Sequence, residues 1–170
     1  MAKVGVVIGS DSDYDVMKIT LAVLDELGIE SEFRVASAHR TPDVVREFGE
    51  GAEKRGVEVI IAGAGMAAHL AGVIAAHTTL PVIAVPLPSG ALDGLDALLS
   101  SVQMPGGIPV AVVAVGKAGA VNAAVLAAEI LGLKYPETKE AIIEYRRARA
   151  AKVAEKDAEL EKKVKGNPAE

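Results

Sequence analysis

The feature that most constrains this chain is a unit that recurs along it: a short Val/Ile/Ala run, a cluster of small or polar residues, then an apolar pattern at helical spacing. Runs that are apolar throughout suit strands buried on both faces, and such strands occur in parallel sheets whose crossovers are helices. Residues 3–8 read as the first strand and 9–13 as a loop. Residues 14–27 read as a helix with Val16, Thr20, Val23 and Leu27 on one face and Gly28 as its stop. Residues 32–36 read as the second strand, after which Thr41 and Pro42 supply an N-cap and a first-turn proline for a helix reaching residue 55. Further strands are predicted at 57–62, 82–85 and 110–115, and helices at 66–76, 92–102 and 118–131. The pattern predicts one α/β domain over 1–135, a doubly wound sandwich with a five-stranded parallel sheet. Its ligand site is expected beyond the carboxyl ends of the strands.

Residues 136–165 combine good helix formers with opposite charges three or four apart, which predicts a further helix. Its apolar face is thin, so it is expected to lie on the domain or on a neighbouring subunit rather than to stabilise itself. Residues 166–170 read as a disordered tail.

Composition narrows the function classes. A chain of 170 residues can bury roughly two-thirds of its unfolded surface in one domain. Only 3% of it is aromatic while 51% is hydrophobic, so Val, Ile, Leu and Ala must fill the core and the elements must approach closely. The 18 basic and 23 acidic residues leave a net charge of −5, and no basic block interleaves with aromatics, which argues against nucleic acid as a partner. The chain has no cysteine, excluding disulfides, thiolate-bound zinc and thiol redox chemistry. The apolar run after Lys3 ends at Gly9, too short for a signal peptide or a membrane span, so the expectation is a cytoplasmic protein with no membrane partner.

Three loops follow predicted strands and gather at one end of the predicted sheet. In the first, Gly9 and Ser10 enter a helix whose free N–H groups suit a phosphate, and Ser10 adds a hydroxyl. The loop has no Walker spacing or lysine, so a single phosphate fits better than a nucleoside triphosphate. Asp11 and Asp13 would repel that phosphate if both faced it, so at least one should face elsewhere, such as the hydroxyls of a ribose. Capping of the helix by Ser12 or Asp13 is the competing account. In the second loop His39 stands between Ser37 and Arg40. Arg40 offers a planar fork to a phosphate, and His39 can move a proton near neutral pH, unless its ring only caps the helix at Pro42. In the third, Gly63, Gly65 and their alanines leave room for a flat ring near His69, or else serve tight packing alone. His77 reads as a surface or interface residue. Two histidines without a carboxylate at ligand spacing predict no metal site.

The runs Gly-Ser-Asp-Ser-Asp at 9–13, Ser-Ala-His-Arg-Thr-Pro at 37–42, Gly-Ala-Gly-Met-Ala-Ala-His-Leu at 63–70 and Ser-Val-Gln-Met-Pro at 101–105, with Gly-Lys-Ala-Gly and Asn122, follow in the same order as in a known family. Over residues 3–131 the chain resembles the bacterial 5-(carboxyamino)imidazole ribonucleotide mutases. The resemblance implies a flavodoxin-like three-layer α/β/α sandwich with a C-terminal helical extension, assembled as a homo-octamer. It implies an isomerase of purine biosynthesis that forms 4-carboxy-5-aminoimidazole ribonucleotide without metal or cofactor. By the same carry-over, Ser10, Asp13 and Arg40 bind the ribonucleotide and Ser37 helps hold its phosphate. Gly65, His69 and Leu70 border the imidazole and carboxylate, and His39 shuttles the proton. Gln103, Met104 and Pro105 are expected to reach a neighbouring subunit's site.

The chain departs from the family pattern at Met66, where glycine is common, at Ala71, where proline is common, and at Ala97, where serine is common. None of these removes a proton donor or phosphate ligand. A related class of carboxylases using free carbon dioxide carries lysine after the histidine, so Arg40 and the run at 63–69 favour the mutase. A non-catalytic sensor of phosphoribosyl ligands is the alternative from another class.

Overall fold

The computed structural model describes residues 2–166. The first half of the chain alternates β1 (Lys3–Ile8), α1 (Tyr14–Glu26), β2 (Glu30–Val35), α2 (Pro42–Gly51), β3 (Val59–Gly65) and α3 (Leu70–Ala75). The second half adds β4 (Val82–Leu87), α4 (Leu95–Val102), β5 (Ala111–Val112), α5 (Lys117–Leu131) and α6 (Pro136–Gly166). All strand pairs are parallel and the order is β2-β1-β3-β4-β5, the flavodoxin-like arrangement.

Alternation along the strands divides the core between the two faces of the sheet. Val4, Val6, Ile8, Val59 and Ile61 pack with residues of α1 and α5, while Val7, Ile60, Ala62 and Ala84 pack with residues of α2 and α3. The shortage of aromatics is met by close approach, as at Gly119, where a Cβ would lie 1.7 Å from the Ala114 carbonyl oxygen. Thr20, fully buried in α1, donates its hydroxyl to the Ala120 carbonyl of α5 at 2.9 Å, so its burial leaves no unmet hydrogen bond in that seam.

Several boundaries differ from the sequence expectation. The third strand continues through Gly63, Ala64 and Gly65, which the sequence assigned to a loop, because each pairs with β4. The fourth runs through Pro86 to Leu87; Pro86 lacks an N–H but its carbonyl accepts from Gly116 at 2.8 Å. The fifth shrinks to two residues at the sheet edge, although Val113 and Gly116 still donate to the β4 carbonyls of Ala84 and Pro86. The second helix ends at Gly51, followed by a 3-10 turn at Glu53–Arg55, and the third begins only at Leu70.

In α6, Thr138, Ile142 and Tyr145 are buried, and residues 146–165 are exposed. Lys134 Nζ and Tyr135 Oη each donate to Glu58 at 2.6 Å, tying the α5–α6 turn to the amino end of β3. Gly166 closes α6, and the rest of the tail expected to be disordered lies outside the described residues. Among the described residues no helix is long and apolar enough to cross a membrane.

Candidate active site

β1 lies between β2 and β3, so the connections that follow β1 and β3 run in opposite directions and open a crevice at that switch point. A cavity of about 420 Å3 lies there. Ser10, Asp13, Ser37, His39, Arg40, Gly65, His69 and Leu70, the residues singled out in the sequence, all line it.

The loop after β1 is shaped by its own side chains. Ser10 is extended at φ −152° and begins the 3-10 turn Asp11–Asp13 that leads into α1. Its Oγ accepts from the Ser12 N–H at 3.4 Å, and Asp13 Oδ2 accepts from the Ser10 N–H at 3.1 Å, a reciprocal capping box. The cap is therefore Ser10 with Asp13 in the reciprocal role, not Ser12. Ser10 Oγ also donates to Asp11 Oδ1 at 3.0 Å, which engages the exposed Asp11, while Asp13 faces the cavity. Burial raises the Asp13 carboxyl above its ordinary pKa, opposed by the Ser10 N–H and reinforced by the charge of Asp11.

Within the loop after β2, Ser37 and Thr41 close a turn. Thr41 donates its N–H to the Ser37 carbonyl at 2.8 Å, its Oγ1 accepts from the Ser37 N–H at 2.9 Å, and Ser37 Oγ accepts from the Arg40 N–H at 3.2 Å. The Thr41 hydroxyl is thus spent on the turn and does not cap α2, contrary to the sequence expectation. His39 does not cap it either. The turn presents His39 and Arg40 at its exposed tip, and among the described residues no carboxylate pairs with Arg40.

The wall opposite is built by the end of β3. Side chains are excluded there: a Cβ at Gly65 would lie 2.5 Å from Ser89 Oγ and 3.2 Å from the Leu87 carbonyl oxygen. Met66 then takes φ +55°, a left-handed turn uncommon for a side chain of its size, which explains why no helix starts there. His69 is brought back towards the second loop, where its Nδ1 lies 2.8 Å from His39 Nε2 with the rings edge to face at 87°. Such a contact requires one nitrogen to donate and the other to accept, so the two rings share one proton between the facing atoms. Among the described residues no group of three His, Cys, Asp or Glu side chains is placed to hold a metal ion.

The family model described as AIR carboxylase matches residues 3–152. The chain belongs to the AIR carboxylase family. The N5-carboxyaminoimidazole ribonucleotide mutase of Thermotoga maritima is 53% identical over 161 residues, 95% of this chain and 93% of the relative. That of Bacillus subtilis is 61% identical over 128 residues, 75% of this chain and 79% of the relative. The crystal structure of Treponema denticola PurE superposes with a TM-score of 0.82 at 31% identity, covering 94% of this chain and 99% of that one.

Some features of this AIR carboxylase family site were not singled out in the sequence. Ser89, after β4, lines the cavity, and its signal was the rule that β4 neighbours β3 in a doubly wound sheet, so a fourth loop reaches the crevice. The His39–His69 contact joins residues 30 positions apart and had no local signal. Gln103, Met104 and Pro105, expected at a neighbouring subunit's site, do not line this chain's own cavity, and Met104 packs at Gly72, where a Cβ would meet its sulfur at 3.1 Å. His77 sits beside Glu50 at the carboxyl end of α2, outside the cavity lining, with Nδ1 3.6 Å from the carboxylate.

Proposed function

We propose that this AIR carboxylase family protein isomerises 5-(carboxyamino)imidazole ribonucleotide to 4-carboxy-5-aminoimidazole ribonucleotide. The observation that carries the reading is the His39–His69 pair, joined at 2.8 Å and facing Ser10, Asp13, Ser37 and Arg40 in one cavity. That the residues read as proton-transfer groups and those read as phosphate and ribose ligands line one cavity supports this reading. The mutase names of relatives at 53–61% identity point to the same reaction.

In this mechanism Arg40, with Ser10 and Ser37, takes the phosphate, and Asp13 accepts from the ribose hydroxyls. The imidazole lies along the side-chain-free edge at Gly65, beside His69 and Leu70. His39 gives a proton to the exocyclic nitrogen as the carbamate C–N bond breaks, releasing carbon dioxide and the amine. The enamine carbon C4 then attacks the carbon dioxide, forming the new C–C bond. The base left on His39 removes the C4 proton, so the pair returns to its starting state and no net proton is consumed. Holding the two fragments together supplies the effective concentration that free carbon dioxide lacks, and no ATP is required by the balance.

The test is to supply the carboxyamino substrate in bicarbonate-free buffer and follow the C4 product. Product formed without added bicarbonate supports the mutase. Product formed only from aminoimidazole ribonucleotide and carbon dioxide would replace it with a carboxylase, and binding without turnover would leave a sensor.

A homo-octamer in the cytoplasm goes with this reading, since the substrate is a charged nucleotide of intermediary metabolism. Exposed Leu92, Leu95, Leu99 and Val102 on and before α4 support assembly through an apolar face. Light scattering that found only monomer at micromolar concentration would refute it.

A further inference from the structure

We infer that Ser100, which does not line the cavity, is a positioning residue that sets His69 against His39; the inference rests on the proton-shuttle reading above. Ser100 lies in α4 and reaches back to the loop after β3. Its Oγ accepts from the Ala68 N–H at 2.9 Å and donates to the Ala97 carbonyl at 3.2 Å. The one hydroxyl therefore relays a hydrogen bond from the loop into the backbone of α4, and each bond in such a chain polarises the next.

Ala68 immediately precedes His69, and its buried peptide is held at a point where the chain makes no regular structure of its own. Met66 is left-handed and α3 begins only at Leu70; between them the His69 N–H closes a local turn on the Ala67 carbonyl at 2.8 Å, and the Ser100 hydroxyl holds the intervening Ala68 peptide from outside. The imidazole contact it governs is short, and moving His69 by less than 1 Å would carry 2.8 Å past the hydrogen-bond limit. Ser101 is the natural comparison. It is buried beside Ser100, but its hydroxyl goes to the Ala97 carbonyl at 2.8 Å and approaches the Ala68 carbonyl only at 3.5 Å, leaving the Ala68 N–H to Ser100.

Ser100→Ala removes the acceptor without touching any group that holds phosphate or ribose. It is expected to lower kcat roughly ten- to hundredfold, as misplacement of about 1 Å does, with KM within about twofold. Ser100→Thr, which keeps the hydroxyl, should restore most of the loss, and Ser101→Ala should leave kcat within about twofold of the parent. A spectroscopic readout accompanies these rates: with 15N-labelled histidine, the hydrogen-bonded Nδ1 and Nε2 signals of the pair should be present in the parent and Ser100→Thr and lost in Ser100→Ala. Should Ser100→Ala not fold, Ser100→Cys, a weaker acceptor, takes its place with an intermediate loss expected. Unchanged kcat, or a lowered kcat with the histidine signals intact, overturns the inference. Parent enzyme that fails to convert the carboxyamino substrate overturns the functional reading instead, and the nitrogen signals still decide whether Ser100 positions His69.

Discussion

In the polar half of the cavity, the side-chain hydrogen bonds that shape the loops close within four residues: Ser10 with Asp13, and Ser37 with Arg40 and Thr41. In the half that would face the ring, the side-chain bonds close across the fold, between Ala68 and Ser100 and between His39 and His69, beside one local backbone turn from His69 to Ala67. The polar half can therefore keep its shape when distant parts of the molecule are disturbed, while the ring half depends on where α4 and the loop after β2 sit. Remote damage should fall on turnover before it falls on affinity.

The largest effect is expected from His39→Asn, which removes the ring joining the two halves. Product formation should fall by at least the roughly hundred- to ten-thousandfold typical of acid–base catalysis. Nucleotide affinity should hold within about tenfold, or about 1.4 kcal/mol, since the polar half stays closed. Near-normal turnover with a lowered melting temperature on the same preparation would break the comparison and move the shuttle to His69.

Arg40→Ala works in the other direction. It should weaken nucleotide binding by about 2 kcal/mol, the low end for a charge pair because the guanidinium is exposed in the free protein, while the imidazole contact persists. Calorimetry showing unchanged affinity would mean that the phosphate lies elsewhere.

The smallest effect is a pair of opposite pH responses. Asp13 has a raised pKa, so its ionised form costs stability above that pKa and the cost fades as pH falls towards the unfolded carboxylate range. For Glu58, burial acts upward, but the hydrogen bonds from Lys134 and Tyr135 and the charge of Lys134 outweigh it and hold the carboxyl below its ordinary value. Its contribution is present above the unfolded pKa and is lost as pH falls through the folded one. Melting temperatures of Asp13→Asn and Glu58→Gln, each relative to the parent, should move in opposite directions on acidification, down for the first and up for the second. Movement in the same direction would show that one of the two environments is misread.

The same division explains what could be read from the sequence. Val/Ile runs and the Gly28 and Pro42 punctuation act over a few residues, so the strand count and most element positions were legible. Pairing between strands is not local. Gly63, Ala64 and Gly65 read as a loop by composition, yet the neighbouring β4 draws them into the ladder. Thr41 followed by proline reads as a cap, but the hydroxyl finds Ser37 first. Candidate site residues were visible because three loops carry them in short polar clusters. Ser89 was legible only through the topology rule that brings a fourth loop to the crevice, and Ser100 was not, because its part depends on which backbone lies beside it after folding.

The seam between α1 and α5 has a consequence for how the molecule breathes. With Thr20 bonded to Ala120 and no space at Gly119, neither helix can separate from the other without exposing a buried polar pair and the apolar core behind it. Amide deuterium exchange there should require global opening, whereas the exposed Met66 and Ala67, outside regular structure, should exchange through local fluctuations. Nucleotide entry can then proceed at the mouth of the crevice on its own timescale, many times over, within the lifetime of a single native molecule.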